Sequence, residues 1–236
     1  MTQLLIIILL FLGALTTTQA TPEKTTGRLL WQSSGQDGLY IKALSGKDAQ
    51  SYTEQIAQLR ITMFRKYPYL YDGDMKNEES YLQTYWKSQK STFLLLFNSE
   101  DEIVGLSSSR PLDEEMPEVK KPFLNTEIDL SKCLYIGETL IKEKYQGMQI
   151  LDQMVKYYKE MVPKQAYECV LFMTVLREDN HPAKPDNYQP LDEIWKHYGF
   201  EVMKGKKIFL NWKRIDTQNE EENTLIVWGQ SVQQQK

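Results

Sequence analysis

Histidine and cysteine are scarce: 236 residues contain two of each. His181 and His197 stand apart from Cys133 and Cys169, and no Cys/His pair has zinc-ligand spacing, so no metal site is expected. The Gly-x-Ser-x-Gly turn of serine hydrolases is absent, and no His-Ser-Asp order supports a hydrolase either. There is also no block of positive charge. Twenty-eight Lys and Arg face 32 Asp and Glu, a net charge of −4, which argues against a nucleic-acid partner and mildly favours a cationic one. Internal repeats and low-complexity tracts are lacking too. What remains is ordinary globular composition, 41% hydrophobic and 25% charged, at a length that suits one domain.

The one long apolar run, Leu4 to Leu15, is too short to span a bilayer comfortably and reads as the core of a secretory signal. Small residues at Thr18 and Ala20 suit cleavage before Thr21, although no Lys or Arg precedes the run. The expected organisation is a signal peptide over 1–20, a Thr/Ser/Gly-rich linker over 21–38, a single domain over 39–230 and a polar tail over 231–236. A working leader makes the protein exported, periplasmic or secreted; otherwise it is cytoplasmic, and membrane contact is expected only through an uncleaved leader. Cys133 and Cys169 both open expected strands, which leaves two readings, a disulfide between parallel neighbours or two buried thiols.

Periodicity organises the rest. Residues 39–44 alternate as a strand, and Tyr52, Ile56, Leu59 and Met63 mark an amphipathic helix over 47–66. A second helix is expected over 77–90, then a hairpin around the polar turn 98–102, a Pro-containing loop over 110–132 and a strand over 133–140. A helix ended by Pro163 follows, then the continuous apolar strand 169–176, whose composition implies burial on both faces. A Pro/Asn-rich loop, a short helix over 191–200 and two terminal strands complete a mixed α/β (α+β) pattern.

Several blocks occur together in order: "FRKYPYLYDGD" (64–74), "YIGETL" (135–140), "YQGMQILDQM" (145–154) and "REDNHPAKPDNYQPLDEIWKHYGF" (177–200), then "NWKRID" and "TLIVW". In these the chain resembles GNAT-type N-acetyltransferases over most of 39–229. The resemblance implies the GNAT fold, a central mixed sheet in which the parallel strands 133–140 and 168–176 splay apart to admit acetyl-CoA as co-substrate. It implies a pantetheine edge at Leu140, Ile141 and Lys142, and a phosphate cradle formed by Tyr145, Gln146, Gly147, Met148, Gln149, Ile150 and Leu151. Two positions depart from the family pattern: Gln149 stands where a glycine is expected, and Leu151 where a small residue is.

The same resemblance makes Glu138, in the Gly-Glu pair, the candidate base. Trp195 holds the place of the usual tyrosine acid, leaving its neighbour Tyr198 as the candidate donor. Tyr69, Tyr71, Asp72, Arg177 and Tyr188 are candidates for the acceptor, a small-molecule or peptidyl primary amine. Arg177 and Asp192 have a second reading, an ion pair that orders the long loop. The implied activity is acetyl transfer in a ternary complex; the rival is an exported, non-catalytic binding module with a degenerate cofactor loop. Oligomeric state is not legible.

Overall fold

The computed structural model describes residues 27–35 and 37–231. The leader and most of the tail, with the export and anchor expectations that fall on them, lie outside the described residues. In chain order the elements are β1 (Arg28–Gln32), β2 (Tyr40–Ser45), α1 (Gly46–Ala49), α2 (Thr53–Phe64), α3 (Met75–Trp86), β3 (Thr92–Phe97) and β4 (Ile103–Pro111). There follow α4 (Pro117–Lys120), β5 (Cys133–Ile141), α5 (Ile150–Lys164), β6 (Cys169–Val175), α6 (Asp192–His197), β7 (Glu201–Lys213) and β8 (Glu220–Ser231).

The eight strands form one sheet in the order β1-β2-β3-β4-β5-β6-β8-β7. Every neighbouring pair is antiparallel except β5 and β6. β1 corrects the linker expectation: the Thr/Ser/Gly residues around it hide a five-residue strand that pairs with β2. Side-chain caps set two helix starts, with Ser45 accepting from the Asp48 amide and Asp74 from the Asn77 amide. The second cap starts α3 at Met75, ahead of the expected Asn77.

Alternation along the strands divides the core between the two faces of the sheet. In β3, Leu94 and Leu96 pack in the cluster that holds Met154, Tyr158 and Val162 of α5, while Phe93, Leu95 and Phe97 pack with Ile56, Leu59 and Leu82 of α2 and α3. In β6, Val170 and Phe172 join the α5 cluster, and Leu171, Met173 and Val175 join a third cluster with Phe123, Ile208 and Val227. Burial on both faces explains why β3 and β6 read as continuous apolar runs.

Candidate active site

β5 and β6 pair only over Cys133↔Cys169, Leu134↔Val170 and Tyr135↔Leu171. Beyond Tyr135 the strands part, and residues 136–141 keep β4 on one edge with no β6 partner on the other. The two cysteines form a disulfide at the closed end of this fork, with Cα atoms 4.7 Å apart, which settles the two readings in favour of the bridge. The fork opens into a cleft of about 1500 Å³. Ile136 to Ile141 line it from β5, Leu151, Met154, Val155, Tyr158 and Val162 from α5, Phe64 from the end of α2, and Lys66 to Tyr69 from beyond it.

Glu138 reaches its place through a bulge. The β4–β5 register pairs Ser108 with Glu138 but Ser109 with Ile136, so Gly137 is the extra residue. A Cβ at 137 would lie 2.2 Å from the Tyr85 hydroxyl oxygen, which explains the glycine. The extra residue reverses the strand's alternation. Leu134 and Ile136 belong to the α5 cluster, whereas Leu140 belongs to the α2/α3 cluster. Glu138, on the reversed phase, meets Arg60 of α2.

The Arg60 guanidinium bridges two carboxylates, bonding Glu138 Oε2 through Nη1 and Glu78 Oε2 through Nε at 2.5 Å. All three side chains are buried. Burial opposes the charge on Arg60, yet Glu138, Tyr81 and Glu78 more than offset this and hold its pKa well above the ordinary value. The Ser108 hydroxyl donates to the other oxygen of Glu138 at 2.7 Å. Formally the triad carries one net negative charge. Sequence reasoning found Glu138 but neither partner, because Arg60 and Glu78 sit on helices where a charged residue normally faces water.

The expected phosphate loop keeps a shape suited to anions. Gly147 and Gln149 both adopt left-handed backbone, with φ of 74° and 59°. The family glycine expected at 149 therefore has a conformational reason, and glutamine is held there at a cost of about 1–2 kcal/mol. Gln149 points to solvent and does not line the cleft; Leu151 does line it, half-buried, without filling it. Gln149 caps α5 with no side-chain hydrogen bond. The first intrahelical bond runs from the Gln153 amide to the Gln149 carbonyl, so the amides of Ile150, Leu151 and Asp152 have no helical acceptor. Lys142 and Lys144 flank the loop without a carboxylate partner among the described residues. Gln146 ties loop to strand, its Nε2 donating to the Ile141 carbonyl at 3.0 Å. Free helix amides, two free cations and an open strand edge together fit the diphosphate and pantetheine of acetyl-CoA.

On the acceptor side the candidates divide. Tyr69, Arg177 and Tyr188 line the cleft, and burial lifts the Tyr69 phenol to about 12. Tyr71 and Asp72 do not. Tyr71 makes an isolated bridge with Arg214, and Asp72 is held by Lys213 at 2.7 Å and Arg65 at 2.9 Å, which keep its carboxyl below the usual range. These two residues anchor the loop instead. Arg177 makes no ion pair with Asp192; it orders the loop through the Pro68 and Tyr69 carbonyls, at 2.7 and 3.2 Å.

Tyr198 does not fit the donor role. It faces away from the cleft, with its hydroxyl donating to Asp152 at 2.7 Å; burial and that hydrogen bond raise its pKa to about 12. Sequence reasoning missed Tyr158, a phenol on the cleft wall whose oxygen lies 2.9 Å from Ser107 Oγ. Its spacing from Met154 and Val162, four residues each way on one helix face, is the signal that could have found it.

Neither a family model nor a curated protein matches this sequence. Solved structures do match its fold. An Acinetobacter baylyi protein described as an acetyltransferase aligns over 82% of this chain and 93% of its own length, with TM-score 0.53 and 9% identity. The Salmonella typhimurium acetyl transferase that modifies the N-terminal serine of ribosomal protein L7/L12 aligns over 87% of this chain and 100% of its own, with TM-score 0.50 and 11% identity. A Thermus thermophilus acetyltransferase gives the same coverage and TM-score at 12% identity. The mixed sheet and its flanking helices match the fold of GNAT acetyltransferases.

Proposed function

We propose that this chain, built on the GNAT fold, moves an acetyl group from acetyl-CoA to a primary amine, small-molecule or peptidyl, by direct transfer in a ternary complex. The observation that carries the reading is the fork itself: an unpaired β5 edge over 136–141 that leads to an uncapped helix N-terminus. Acetyl-CoA supplies the activated acyl thioester. The free amides of Ile150 and Leu151, with Lys142 and Lys144, would hold its phosphates. A main-chain N–H on the open edge beside Leu140 would stabilise the negative charge that develops on the acyl oxygen.

Glu138 supplies the fixed negative charge that draws an ammonium group to the fork. Arg60 and Ser108 already engage both of its oxygens, so the amine proton reaches it through water rather than by direct contact. Tyr158, a phenol that is protonated at neutral pH and that burial holds above its ordinary pKa, replaces Tyr198 as the donor for the leaving sulfur. The disulfide supports an oxidising compartment, and with it an exported protein that works where acetyl-CoA is supplied.

The test is the rate of acetyl-CoA-dependent amine acetylation in Glu138→Gln and Tyr158→Phe. Glu138→Gln is expected to lower kcat by about 10²-fold or more while the variant melts within a few degrees of wild type. Unchanged turnover in Glu138→Gln removes it from the chemistry. Absence of turnover in wild type, despite cofactor binding, leaves the non-catalytic module, the reading that Gln149 in a glycine conformation favours.

A further inference from the structure

Arg177 stands two residues beyond β6, half-buried on the cleft wall. The other guanidiniums withdrawn from solvent each have a carboxylate: Arg60 has Glu78 and Glu138, Arg110 has Glu115, and Arg214 has Asp216. Arg177 has none among the described residues. Its Nε and one Nη2 hydrogen serve the Pro68 and Tyr69 carbonyls. Of the five guanidinium N–H groups three remain, at the Nη1/Nη2 end, which is the geometry that grips a carboxylate with two parallel bonds. Burial and the nearby Arg214 pull its pKa down by more than Asp216 and Tyr67 lift it.

Asp216 acts on Arg177 through space but is engaged by Arg214 at 2.8 Å and His181 at 3.4 Å, and forms no ion pair with Arg177 among the described residues. Lys66 and Glu143 pair with each other at 2.5 Å, and Lys184 and Asp179 at 3.6 Å. Asp192, in the first turn of α6, makes no ion pair among the described residues. Tyr69 links the cation to the buried carboxylates: its carbonyl accepts from Arg177 while its phenol lies in the field of Glu138 and Arg60. The cleft thus offers a negative charge at the bulge and, with Tyr69 between them, a positive charge that has no ion pair among the described residues.

We propose that Arg177 receives a carboxylate of the acceptor, which makes the substrate an amine that also carries a carboxylate: an amino acid, or a peptide with a free C-terminus. This rests on the acetyl-transfer reading and narrows it.

Matched acceptors test it: glycine against methylamine, lysine against cadaverine, and a dipeptide against its C-terminal amide. Each is measured as kcat/KM with acetyl-CoA and as affinity by calorimetry with CoA present. The carboxylate-bearing member is expected to be favoured by about 10- to 100-fold. In Arg177→Gln that ratio falls close to one, and in Arg177→Lys it recovers in part. Equal use or equal binding of both members in wild type overturns the proposal, as does an Arg177→Gln variant that lowers both members alike. Failure to bind either member does so too. Acetylation of the bare amines without preference would leave acetyl transfer standing and remove only the carboxylate site.

Discussion

Breaking the Cys133–Cys169 bridge probes the geometry of the fork, because the bond spans the last paired rungs before β5 and β6 diverge. The sequence separation is 36 residues. In the chain-entropy model, closing a loop of that length removes denatured-state freedom worth about 4 kcal/mol at 25 °C. For a domain of this size each kcal/mol moves the melting temperature by about 2–4 °C, so reduction is expected to lower it by about 8–16 °C. Oxidised protein is compared with protein refolded in a phosphine reductant, by calorimetry and by urea denaturation. This avoids the void that alanine would leave at the buried Cys133. The urea midpoint is expected to fall, and the slope to steepen as the reduced denatured chain expands. A loss below about 1 kcal/mol would refute the reasoning, as would mass spectra of native protein showing free thiols, because the strands would then hold their register without the cross-link.

Arg60→Met leaves Glu78 and Glu138 buried without their shared cation and is expected to cost about 3–5 kcal/mol; the triple change that adds Glu78→Gln and Glu138→Gln recovers part of the loss in urea denaturation. Gly137→Ala brings a methyl group against the Tyr85 hydroxyl and is expected to cost about 1–3 kcal/mol, with partial rescue by Tyr85→Phe; a cost unaffected by that second change would mean that the bulge itself fails. Burial raises Tyr69, Tyr167 and Tyr198 to about 12. Their unfolded forms titrate near pH 10, so the stability they contribute is complete below about pH 10 and lost as pH rises through 12. Stability measured in steps above pH 9 should decline progressively, and a flat profile to pH 11.5 would contradict the burial of these phenols.

Much of the fold could be read from the chain because its core strands are two-faced: the apolar runs at 92–97 and 169–175 announce burial on both sides. β1 escaped because a five-residue strand between Ser/Thr/Gly segments carries too little pattern to stand out. Within the cleft, Glu138, Tyr69, Arg177 and Tyr188 are legible from their blocks, whereas sequence alone does not show that Tyr198 turns away from it. Tyr198 lies three residues past Trp195, as the C-cap of α6, and its hydroxyl turns to Asp152 of α5. The ion triad was invisible for a different reason. Arg60 lies 18 residues from Glu78 and 78 from Glu138, and only the phase reversal at Gly137 aims the last of these at α2. A single inserted residue changes which face a side chain serves, and no periodicity count across the bulge shows it.

Binding of acetyl-CoA to the mature protein is the most direct measurement. A thermal titration monitored together with calorimetry should show saturable stabilisation, about 2.7 kcal/mol at one hundred times the dissociation constant, accompanied by mass-detected acetylation of an added amine. The absence of any shift or heat at millimolar acetyl-CoA would contradict the account: the open edge of β5 and the uncapped start of α5 would then be features of a scaffold that receives no thioester.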